Sequence, residues 1–412
     1  MKILTFNPGG NSLKVQLIRC SAGQRHAFEA KVLLSVSIEE IGKRPELSLM
    51  LGKKKIAAEP IDAEDFGQAA TSFLQWWDRS PGPEPAASPS NIDGVAIRVV
   101  HGGREFGEPA LVDARVIERI AQFEKLAPLH NQRSLEILEP IRRRFPGTRI
   151  YAVFDTAFHQ TIPDRASTYA IPIGLAEQHG IRRYGFHGTS HRYLLERFAH
   201  LAGKEPGECN IVSLHLESGC SVTAIERGRS IDNTMGLTPL EGLMMGTRSG
   251  DIDPSIVALL MREEHMTIDE VMILLNKKSG LMGVSEQSLD TRILMKQYDS
   301  NPRAKLAMDI FAYRIRKAVG AFIAALGSAD AVVFGGGIGE NGTFVRRVVC
   351  EGLGSFGLEL DGEANDRLID EEGRLSRPHS RLQAWVIPAE EGLQMAHECF
   401  QEIRALPASS RH

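Results

Sequence analysis

Apolar runs that end in glycine-rich or small polar turns recur along this chain. Residues 2–6 form the first run, which stops at a turn over residues 7–11, and residues 12–18 alternate like a returning strand. Runs of this kind predict β-strands. The same pattern predicts further strands over residues 46–51, 54–57, 94–100, 149–154, 210–216 and 331–334.

Between these runs, apolar residues spaced three and four apart predict amphipathic helices. The helices are predicted over residues 65–78, 131–145, 191–202, 253–264 and 303–326. Asp253 followed by Pro254 is typical of a helix start, with an N-cap and then proline at the first helical position. Buried strands that alternate with helices and end in polar turns predict an α/β protein whose site lies at the strand ends.

The chain has 412 residues, more than one ordinary core accommodates, which predicts two domains. The strands fall into two sets that separate near residue 155, so we expect the chemistry in a cleft between two domains. A formal net charge of −4 provides no basic field for nucleic acid. No apolar stretch approaches the roughly 18 residues of a membrane span.

The five cysteines are scattered and form no CxxC pair. This spacing argues against both a disulfide framework and a structural zinc site, and it favours a reducing compartment. The sequence therefore predicts a cytoplasmic protein without a nucleic-acid or membrane partner.

Two turns in the first half of the chain carry candidate chemistry. The turn over residues 7–14 ends in Lys14, and it is either an anion-binding nest or a plain hairpin. Arg98 lies inside a buried strand and must be paired, either in a structural ion pair or with an acidic substrate. Asp155 ends the next strand, where it is either a site residue or an N-cap for the segment that begins at Thr156.

Two segments in the second half concentrate phosphate-binding groups. Residues 182–191 include His187 and His191, whose spacing admits zinc but lacks HExxH, so contact of His187 with phosphate oxygens is the preferred interpretation. Arg248 lies between glycines in a long loop, where an arginine can offset the charge of a phosphoryl transition state. Residues 337–342 match GxGxxG, but a lone match is weak support for a dehydrogenase, and no Walker motif occurs.

Together these segments resemble the acetate kinases, in the superfamily of acetate and sugar kinases, chaperone ATPases and actin. The similarity is carried by residues 98–103, 126–131, 153–163, 183–191, 235–242, 246–254 and 337–341. It implies reversible, direct in-line transfer of the ATP γ-phosphoryl group to acetate, giving acetyl phosphate and ADP, with Mg²⁺ or Mn²⁺. It also implies a homodimer.

The resemblance implies an α/β fold of two ribonuclease-H-like (actin-like ATPase) domains with an interdomain active-site cleft. The first domain is expected to comprise residues 1–155 plus a C-terminal helix over residues 393–412. The second, residues 156–392, is expected to carry most nucleotide contacts.

The resemblance also implies a role for each matching residue. Arg98 is expected to hold the substrate carboxylate, and His130 to contact phosphate. The alkyl end of the substrate is expected among Val100, Leu129, Phe186 and Pro239. The implied catalytic residues are Asp155, His187 and Arg248. The implied metal residues are Asn7 and Glu391. The implied nucleotide-binding residues are Lys14, His215, Leu216, Glu217, Ser218, Gly219, Asp290, Thr291, Arg292, Gly337, Ile338, Gly339, Glu340 and Asn341.

Acetate is ionised at neutral pH, so its oxygen needs no general base. We therefore expect Asp155 to orient the metal shell or a cationic neighbour rather than to remove a proton. Small aliphatic pocket residues fit a methyl group, yet one methylene shifts selectivity by only about 1–3 kcal/mol, so propionate stays an alternative. A non-catalytic, nucleotide-gated binding protein is a further alternative, against which the joint presence of Arg98, His187 and Arg248 argues.

Four segments depart from the family pattern. Residues 10–12 read Gly-Asn-Ser instead of three serines, residues 215–219 read His-Leu-Glu-Ser-Gly instead of His-Leu-Gly-Asn-Gly, residues 335–336 read Gly-Gly instead of Thr-Ala, and Gly392 replaces a glutamate. Glu217 matters most because a carboxylate repels nucleotide phosphates and because glycine alone adopts positive φ freely. Either Glu217 points away or meets the metal in an ordinary ATP enzyme, or the donor is another nucleotide or pyrophosphate, or activity is lost.

Overall fold

The computed structural model describes residues 1–22, 28–80, 92–123 and 131–406. Leu129 and His130, two of the predicted substrate contacts, lie outside the described residues. The chain divides into two compact units, Met1–Ala157 with Glu390–His412 and Phe158–Ala389. No helix in the described ranges combines the length and the apolar character that crossing a membrane requires.

The strands, as the structure has them, are β1 (Lys2–Pro8), β2 (Leu13–Ala22), β3 (Phe28–Glu39), β4 (Glu46–Leu51), β5 (Lys54–Pro60), β6 (Gly94–Val99), β7 (Ala110–Leu111), β8 (Ile150–Phe154), β9 (Ile211–Leu216), β10 (Cys220–Glu226), β11 (Arg229–Asn233), β12 (Ala331–Gly335), β13 (Gly373–Arg374) and β14 (Gln383–Val386). The helices are α1 (Phe66–Arg79), α2 (Ala114–Gln122), α3 (Asn131–Arg144), α4 (Asp164–Ser167), α5 (Ile173–His179), α6 (Gly188–Ala202), α7 (Ser255–Glu263), α8 (Ile268–Lys277), α9 (Gly280–Ser285), α10 (Thr291–Lys296), α11 (Pro302–Leu326), α12 (Gly336–Asn341), α13 (Thr343–Glu351), α14 (Gly362–Arg367) and α15 (Glu391–Ala405).

The sheet of the first unit has the strand order β5-β4-β3-β2-β1-β6-β8-β7 among the described residues. Strands β1, β6 and β8 run parallel, whereas β1, β2 and β3 form an antiparallel meander. Side chains of α1 and α3 cover one face, and Met395, Cys399 and Ile403 of α15 cover the other. Because both faces are covered, successive residues of the central strands are apolar, which is why they appear in the sequence as continuous runs.

The sheet of the second unit has the order β11-β10-β9-β12-β14-β13 in the part of the chain that is described. Strands β9, β12 and β14 are parallel, and β9, β10 and β11 form an antiparallel meander. Helix α6 packs on one face through Leu194 and Phe198, and α11 packs against β9 and β10. The five strands β11-β10-β9-β12-β14 thus repeat the order and directions of β3-β2-β1-β6-β8.

The predicted α/β class is confirmed, and each predicted strand and helix is present with its ends shifted by a few residues. Helix α7 begins at Ser255 rather than at Asp253, although the carboxylate of Asp253 accepts the N–H of Ser255 at 2.8 Å. The pattern missed β3, β10, β11 and β14. Strand β10 alternates serine and threonine with apolar residues, and β14 has four residues, too few for periodicity to be distinctive.

Candidate functional site

An arginine–carboxylate pair lies at the strand ends of the first unit. Nε of Arg98 lies 2.9 Å from Oδ1 of Asp155, and Nη2 lies 2.5 Å from Oδ2. The side chain of Arg98 is 12% exposed and that of Asp155 only 1%. Two parallel N–H···O bonds fix the plane of the guanidinium as well as neutralising the buried carboxylate. The prediction that Arg98 is paired within its buried strand is confirmed.

Asn7 and Glu391 extend this pair into an ion-pair cluster, which we define as Asn7, Arg98, Asp155 and Glu391. Nη1 of Arg98 donates to Oδ1 of Asn7 at 3.1 Å, and Nδ2 of Asn7 donates to Oε2 of Glu391 at 2.5 Å. The amide cannot be turned over, because its NH₂ would then face the guanidinium, donor against donor.

The topology explains why residues so distant in sequence meet. Phe6 of β1 pairs with Ile97 of β6 in parallel, so Asn7 and Arg98 follow as neighbours at the same sheet edge. Strand β8 pairs with β6 up to Val99, and Asp155 comes directly after it. Helix α15 packs on the same sheet and begins at Glu391.

The hard oxygens that a divalent cation prefers are present in this cluster. Glu391 offers a carboxylate, whereas the oxygen of Asn7 accepts from Arg98 and its NH₂ holds Glu391. Glu391 therefore fits the part of a metal ligand, with Asn7 orienting it. Across the described ranges, no group of three or more His, Cys, Asp or Glu side chains is arranged to hold a metal ion. Lys14 lies on β2 opposite Asn7.

His187 lies in the second unit directly before α6, in a left-handed conformation. Its φ of +57° and ψ of +30° are uncommon for a residue with a side chain. Gly185, with φ +75°, precedes it, and a Cβ there would lie 2.7 Å from Cγ of His159. Position 185 therefore favours glycine, both for its positive φ and for its close approach to His159.

His159 stabilises the same turn through hydrogen bonds. Its Nε2 donates to the carbonyl of Phe186 at 2.9 Å, and its Nδ1 accepts from Ser230 at 2.8 Å. A carbonyl can only accept, so this buried ring is the Nε2–H tautomer. Burial lowers the pKa of His159 from 6.5 to about 4. The ring is therefore neutral and holds the backbone of Phe186, a predicted pocket residue.

His187 and Arg248 converge on one point beside Gly219. A Cβ on Gly219 would lie 3.3 Å from Nε2 of His187 and 3.6 Å from Nη1 of Arg248. A methyl group here would contact both groups, and the ring of His187 would have to shift slightly to accept it. The structure thus brings together two predicted transition-state residues that are 61 positions apart in the printed numbering.

Further imidazole and hydroxyl groups surround His187, and we define His187, His191, His215, Ser213 and Ser221 as the imidazole cluster. Ser221 Oγ lies 2.9 Å from Nδ1 of His187 and 2.7 Å from Nε2 of His191. Ser213 Oγ lies 2.9 Å from Nδ1 of His191. The rings of His187 and His215 have centroids 4.3 Å apart.

His215 links the imidazole cluster to the unusual Glu217. Nδ1 of His215 lies 2.7 Å from Ser190 Oγ, and Nε2 lies 3.7 Å from Oε2 of Glu217. The side chain of Glu217 is 48% exposed. Its carboxylate is therefore turned towards His215 at the edge of the predicted phosphate loop.

A second group of side-chain contacts, formed by Arg183, Tyr169 and Glu241, holds the loop that carries Pro239. Nη2 of Arg183 lies 2.7 Å from Oε1 of Glu241, and the hydroxyl of Tyr169 donates to the other oxygen of Glu241. Burial, followed by this hydrogen bond, raises the pKa of Tyr169, so the phenol stays a donor. Nη1 of Arg248 donates to the carbonyl of Pro239 at 3.2 Å, which links the loop that carries Arg248 to the loop that carries Pro239.

The remaining predicted site residues are placed within their own units. Val100 is buried after β6 in the first unit. In the second unit Phe186 is buried and Asp290 caps α10, where it binds Arg292 at 2.7 Å. Thr291 begins that helix. Residues 337–341 lie in α12, with Nδ2 of Asn341 donating to Asp370 at 2.9 Å.

The sequence pattern did not indicate that Ser221, Tyr169 and Glu241 support the site. It indicated His191 only as a candidate metal ligand. A usable signal existed in β9 and β10, where serine and threonine interrupt strands that are otherwise apolar. Buried polar groups are nearly always hydrogen-bonded, so such positions indicate partners. Which partners they bind depends on α6, whose position the sequence pattern does not specify.

A model described as the acetokinase family matches residues 2–397. The chain is 41% identical to an acetate kinase of Solibacter usitatus over 414 aligned residues, covering 99% of each protein. Its structure is similar to that of Porphyromonas gingivalis acetate kinase, with a TM-score of 0.86, 36% identity, and coverage of 97% and 99% of the two chains. A propionate kinase from Francisella tularensis gives the same TM-score at 34% identity, covering 97% and 99%.

Proposed function

This chain belongs to the acetokinase family, and on that basis we propose that it is an acetate kinase that transfers the γ-phosphoryl group of ATP to acetate. An acetate oxygen attacks the γ-phosphorus, and the bond from that phosphorus to the bridging oxygen breaks. The electron pair leaves with ADP, and acetyl phosphate forms. No proton moves, because acetate is already ionised. The reverse reaction uses the same groups.

The observation that carries this proposal is the convergence of His187 and Arg248 beside Gly219. A transferring phosphoryl group spreads negative charge over three equatorial oxygens, and fixed donors stabilise that charge. An N–H of His187 and the guanidinium of Arg248 are donors of the required kind. The left-handed backbone at His187 holds its ring in place before substrate arrives.

Arg98 and Asp155 have complementary parts in this proposal. Arg98 supplies the positive charge that attracts the acyl carboxylate, and Asp155 fixes the guanidinium through two of its nitrogens. Asp155 is thus a residue that orients its partner, and it is not a general base. For the alkyl end of the substrate, Val100, Leu129, Phe186 and Pro239 keep the roles that the resemblance implies, as does His130 for phosphate.

Mg²⁺ is the metal we propose for the reaction, with Mn²⁺ as a substitute. Glu391 would hold it, and Asn7 would orient that carboxylate through the contact at 2.5 Å. Magnesium commonly takes one or two carboxylates together with phosphate oxygens and water. Such an ion reduces the repulsion between an anionic acceptor and a polyanionic donor.

Propionate is the second acyl substrate that a specific finding favours, since the similar Francisella tularensis protein is named a propionate kinase. For the phosphoryl donor we propose ATP. The carboxylate of Glu217 is turned towards His215, with Oε2 3.7 Å from Nε2, so an imidazole lies beside its negative charge. The reaction with ATP and the free state of the five cysteines favour action in the cytoplasm.

A homodimer is the assembly we propose, formed through α7 and α8. Helix α7 contains no buried residue in the single chain, although five of its nine residues are Ile, Val, Leu or Met. Ile256, Leu259, Ile268 and Ile273 are each at least 38% exposed on these two helices. A contiguous apolar surface of this kind marks a protein interface. Measuring the mass of the particle in solution tests this proposal.

The function is tested by incubating the protein with ATP, Mg²⁺, hydroxylamine and acetate, propionate or butyrate in separate reactions. Acetohydroxamate that depends on both acetate and ATP supports the proposal, and the ratio of the three signals gives the acyl preference. If the folded protein gives no signal with any acid, the assay with GTP and pyrophosphate decides between a changed donor and a non-catalytic protein.

A further inference from the structure

A buried hydroxyl joins His187 to a second histidine that lies away from the proposed phosphoryl site. Ser221 Oγ lies 2.9 Å from Nδ1 of His187 and 2.7 Å from Nε2 of His191. Both Ser221 and His191 are fully buried. Ser221 extends from β10 and His191 from the first turn of α6, so two rigid elements hold the arrangement.

The number of protons available for these hydrogen bonds restricts the protonation of the two rings. A serine hydroxyl has one proton and accepts through its lone pairs. If that proton is shared within this pair, one ring nitrogen receives it and the other ring nitrogen must itself donate. The tautomers of His187 and His191 are then coupled, because an N–H on the near side of one ring requires a lone pair on the near side of the other.

His191 is the partner whose charge state is fixed. Burial lowers its pKa well below the ordinary value of 6.5, with the neighbouring rings of His159 and His215 acting in the same direction. A neutral His191 has a single N–H, either towards Ser221 or towards Ser213, whose Oγ lies 2.9 Å from Nδ1. Ser213 can donate to that nitrogen, which leaves Nε2–H of His191 to donate to Ser221.

The surroundings of the His187 ring include a guanidinium and a second imidazole. Arg248 approaches the same point beside Gly219, and the tilted ring of His215 has its centroid 4.3 Å from that of His187, while Oε2 of Glu217 lies 3.7 Å from Nε2 of His215. A second full positive charge next to Arg248 is unfavourable. A neutral imidazole still polarises an oxygen well through its N–H, as in other enzymes that use neutral histidine as an electrophile.

We propose that Ser221 and His191 are positioning residues that hold His187 as the neutral Nε2–H tautomer. His191 Nε2–H donates to Ser221, Ser221 O–H donates to Nδ1 of His187, and Nε2–H of His187 is left facing Gly219 and the phosphoryl group. Arg248 then supplies the charge and His187 supplies a directed hydrogen bond. This inference rests on the proposed function for the identity of the acceptor, but the tautomer itself does not depend on it.

The direct test is nitrogen NMR of the full chain labelled with ¹⁵N-histidine at neutral pH. The His187 signals are assigned by their loss in His187→Gln. We expect chemical shifts of a neutral ring with the proton on Nε2. An imidazolium or an Nδ1–H ring at His187 in the unsubstituted protein overturns the proposal. The assignment holds when the other histidine signals of His187→Gln stay in place, which shows that the variant is folded.

Ser221→Ala tests the part played by the hydroxyl. We expect His187 to become a mixture of tautomers and kcat to fall about tenfold or more, with KM for ATP and acetate nearly unchanged, since the lost donor acts on the transition state. Ser190→Ala is the matched control, because it removes a buried serine–histidine contact of 2.7 Å that involves His215 rather than His187. Its His187 signals should stay as in the unsubstituted protein.

An unchanged tautomer and unchanged kcat in folded Ser221→Ala contradict the proposal. His191→Gln gives an independent check, since an amide can still donate to Ser221, and it should keep the Nε2–H signal that Ser221→Ala loses. If the unsubstituted protein forms no acyl phosphate with any donor, the proposed function fails, while the NMR result still decides this inference.

Discussion

Two sheets with the same strand order end in different chemistry. In the first unit, β1 and β6 place Asn7 beside Arg98, with Asp155 after β8. At the matching position of the second unit, His215 of β9 pairs with Gly335 of β12. An arginine–carboxylate ion pair occupies one sheet edge, and imidazoles and hydroxyls occupy the other. The shared scaffold thus fixes where a side chain can act, and the individual side chain decides how.

The glycine at this edge of the second sheet, Gly335, has a steric cause. A Cβ on Gly335 would lie 2.8 Å from the methyl groups of Leu194 on α6, and Gly336, with φ +74°, would clash with Leu216 at 2.7 Å. Helix α6 can approach the strand ends closely for this reason, and it brings Ser190 and His191 with it.

The largest expected effect on turnover follows from removing the guanidinium of Arg248, which lies beside the imidazole cluster. Arg248→Ala should lower kcat by about 10³-fold, because an arginine that offsets transition-state charge is worth that much or more. Steady-state kinetics with ATP and acetate measure it. Arg303→Ala, which removes an exposed arginine paired with Glu286 in the same unit, is the control. A fall in kcat of less than tenfold would show that Arg248 does not stabilise the transition state.

Breaking the ion pair should cost stability as well as activity. Arg98→Ala leaves the carboxylate of Asp155, 1% exposed, without its partner, which should lower the free energy of unfolding by about 3–5 kcal/mol. Asp155→Asn removes the charge and should cost less stability but still lower turnover. Denaturant unfolding and kinetics are measured on both variants, with Arg98→Lys as the control that keeps the charge. Near-normal turnover and Mg²⁺ dependence in Asp155→Asn would show that Asp155 does not orient the site.

Neutral histidines should make the second unit sensitive to acid. The folded pKa of His159 is about 4 against 6.5 ordinarily, so the unfolded chain binds the proton and the folded chain excludes it. The contribution to stability is present above pH 6.5 and is lost as the pH falls towards 4, by about 3 kcal/mol in total. His159→Gln keeps both hydrogen bonds without a titrating group. Its unfolding free energy should fall less steeply over this range, and equal slopes would contradict the prediction.

A methyl group at the convergence point should lower activity with little effect on stability. Gly219→Ala places a Cβ 3.3 Å from His187 and 3.6 Å from Arg248, so we expect kcat to fall about tenfold through displacement of these groups. Gly246→Ala is the control, since its Cβ would meet Leu289 and Ser218 at an ordinary 3.5 Å. Similar kinetics for the two variants would show that the point beside Gly219 is not where the phosphoryl group passes.

The smallest expected effect concerns the carboxylate at the edge of the imidazole cluster. Glu217→Gln removes one negative charge near the proposed phosphates, which should tighten ATP binding about fivefold, or about 1 kcal/mol. Calorimetric titration with ATP and Mg²⁺ measures the change, and Glu217→Asp, which keeps the charge, is the control. Weaker binding of ATP by Glu217→Gln would indicate that the carboxylate takes part in holding the metal.

Local pattern alone determined the α/β class, the buried core strands and the need of Arg98 for a partner. Strands buried on both faces must be continuously apolar, and a buried guanidinium must be paired, so these conclusions follow from residue chemistry. The resemblance contributed His187 and Arg248 as a pair, and the convergence of both side chains beside Gly219 agrees with it.

Only the tertiary structure decided which groups surround those residues. Ser221 faces both His187 and His191 because β10 and α6 pack together, and Asn7 meets Glu391 because the last helix packs on the first sheet. Contacts between elements so far apart in the chain depend on register and helix placement, which hydrophobic periodicity does not encode. The sequence by itself therefore indicates the candidate side chains, and the packing of helices on sheets determines their hydrogen-bond partners.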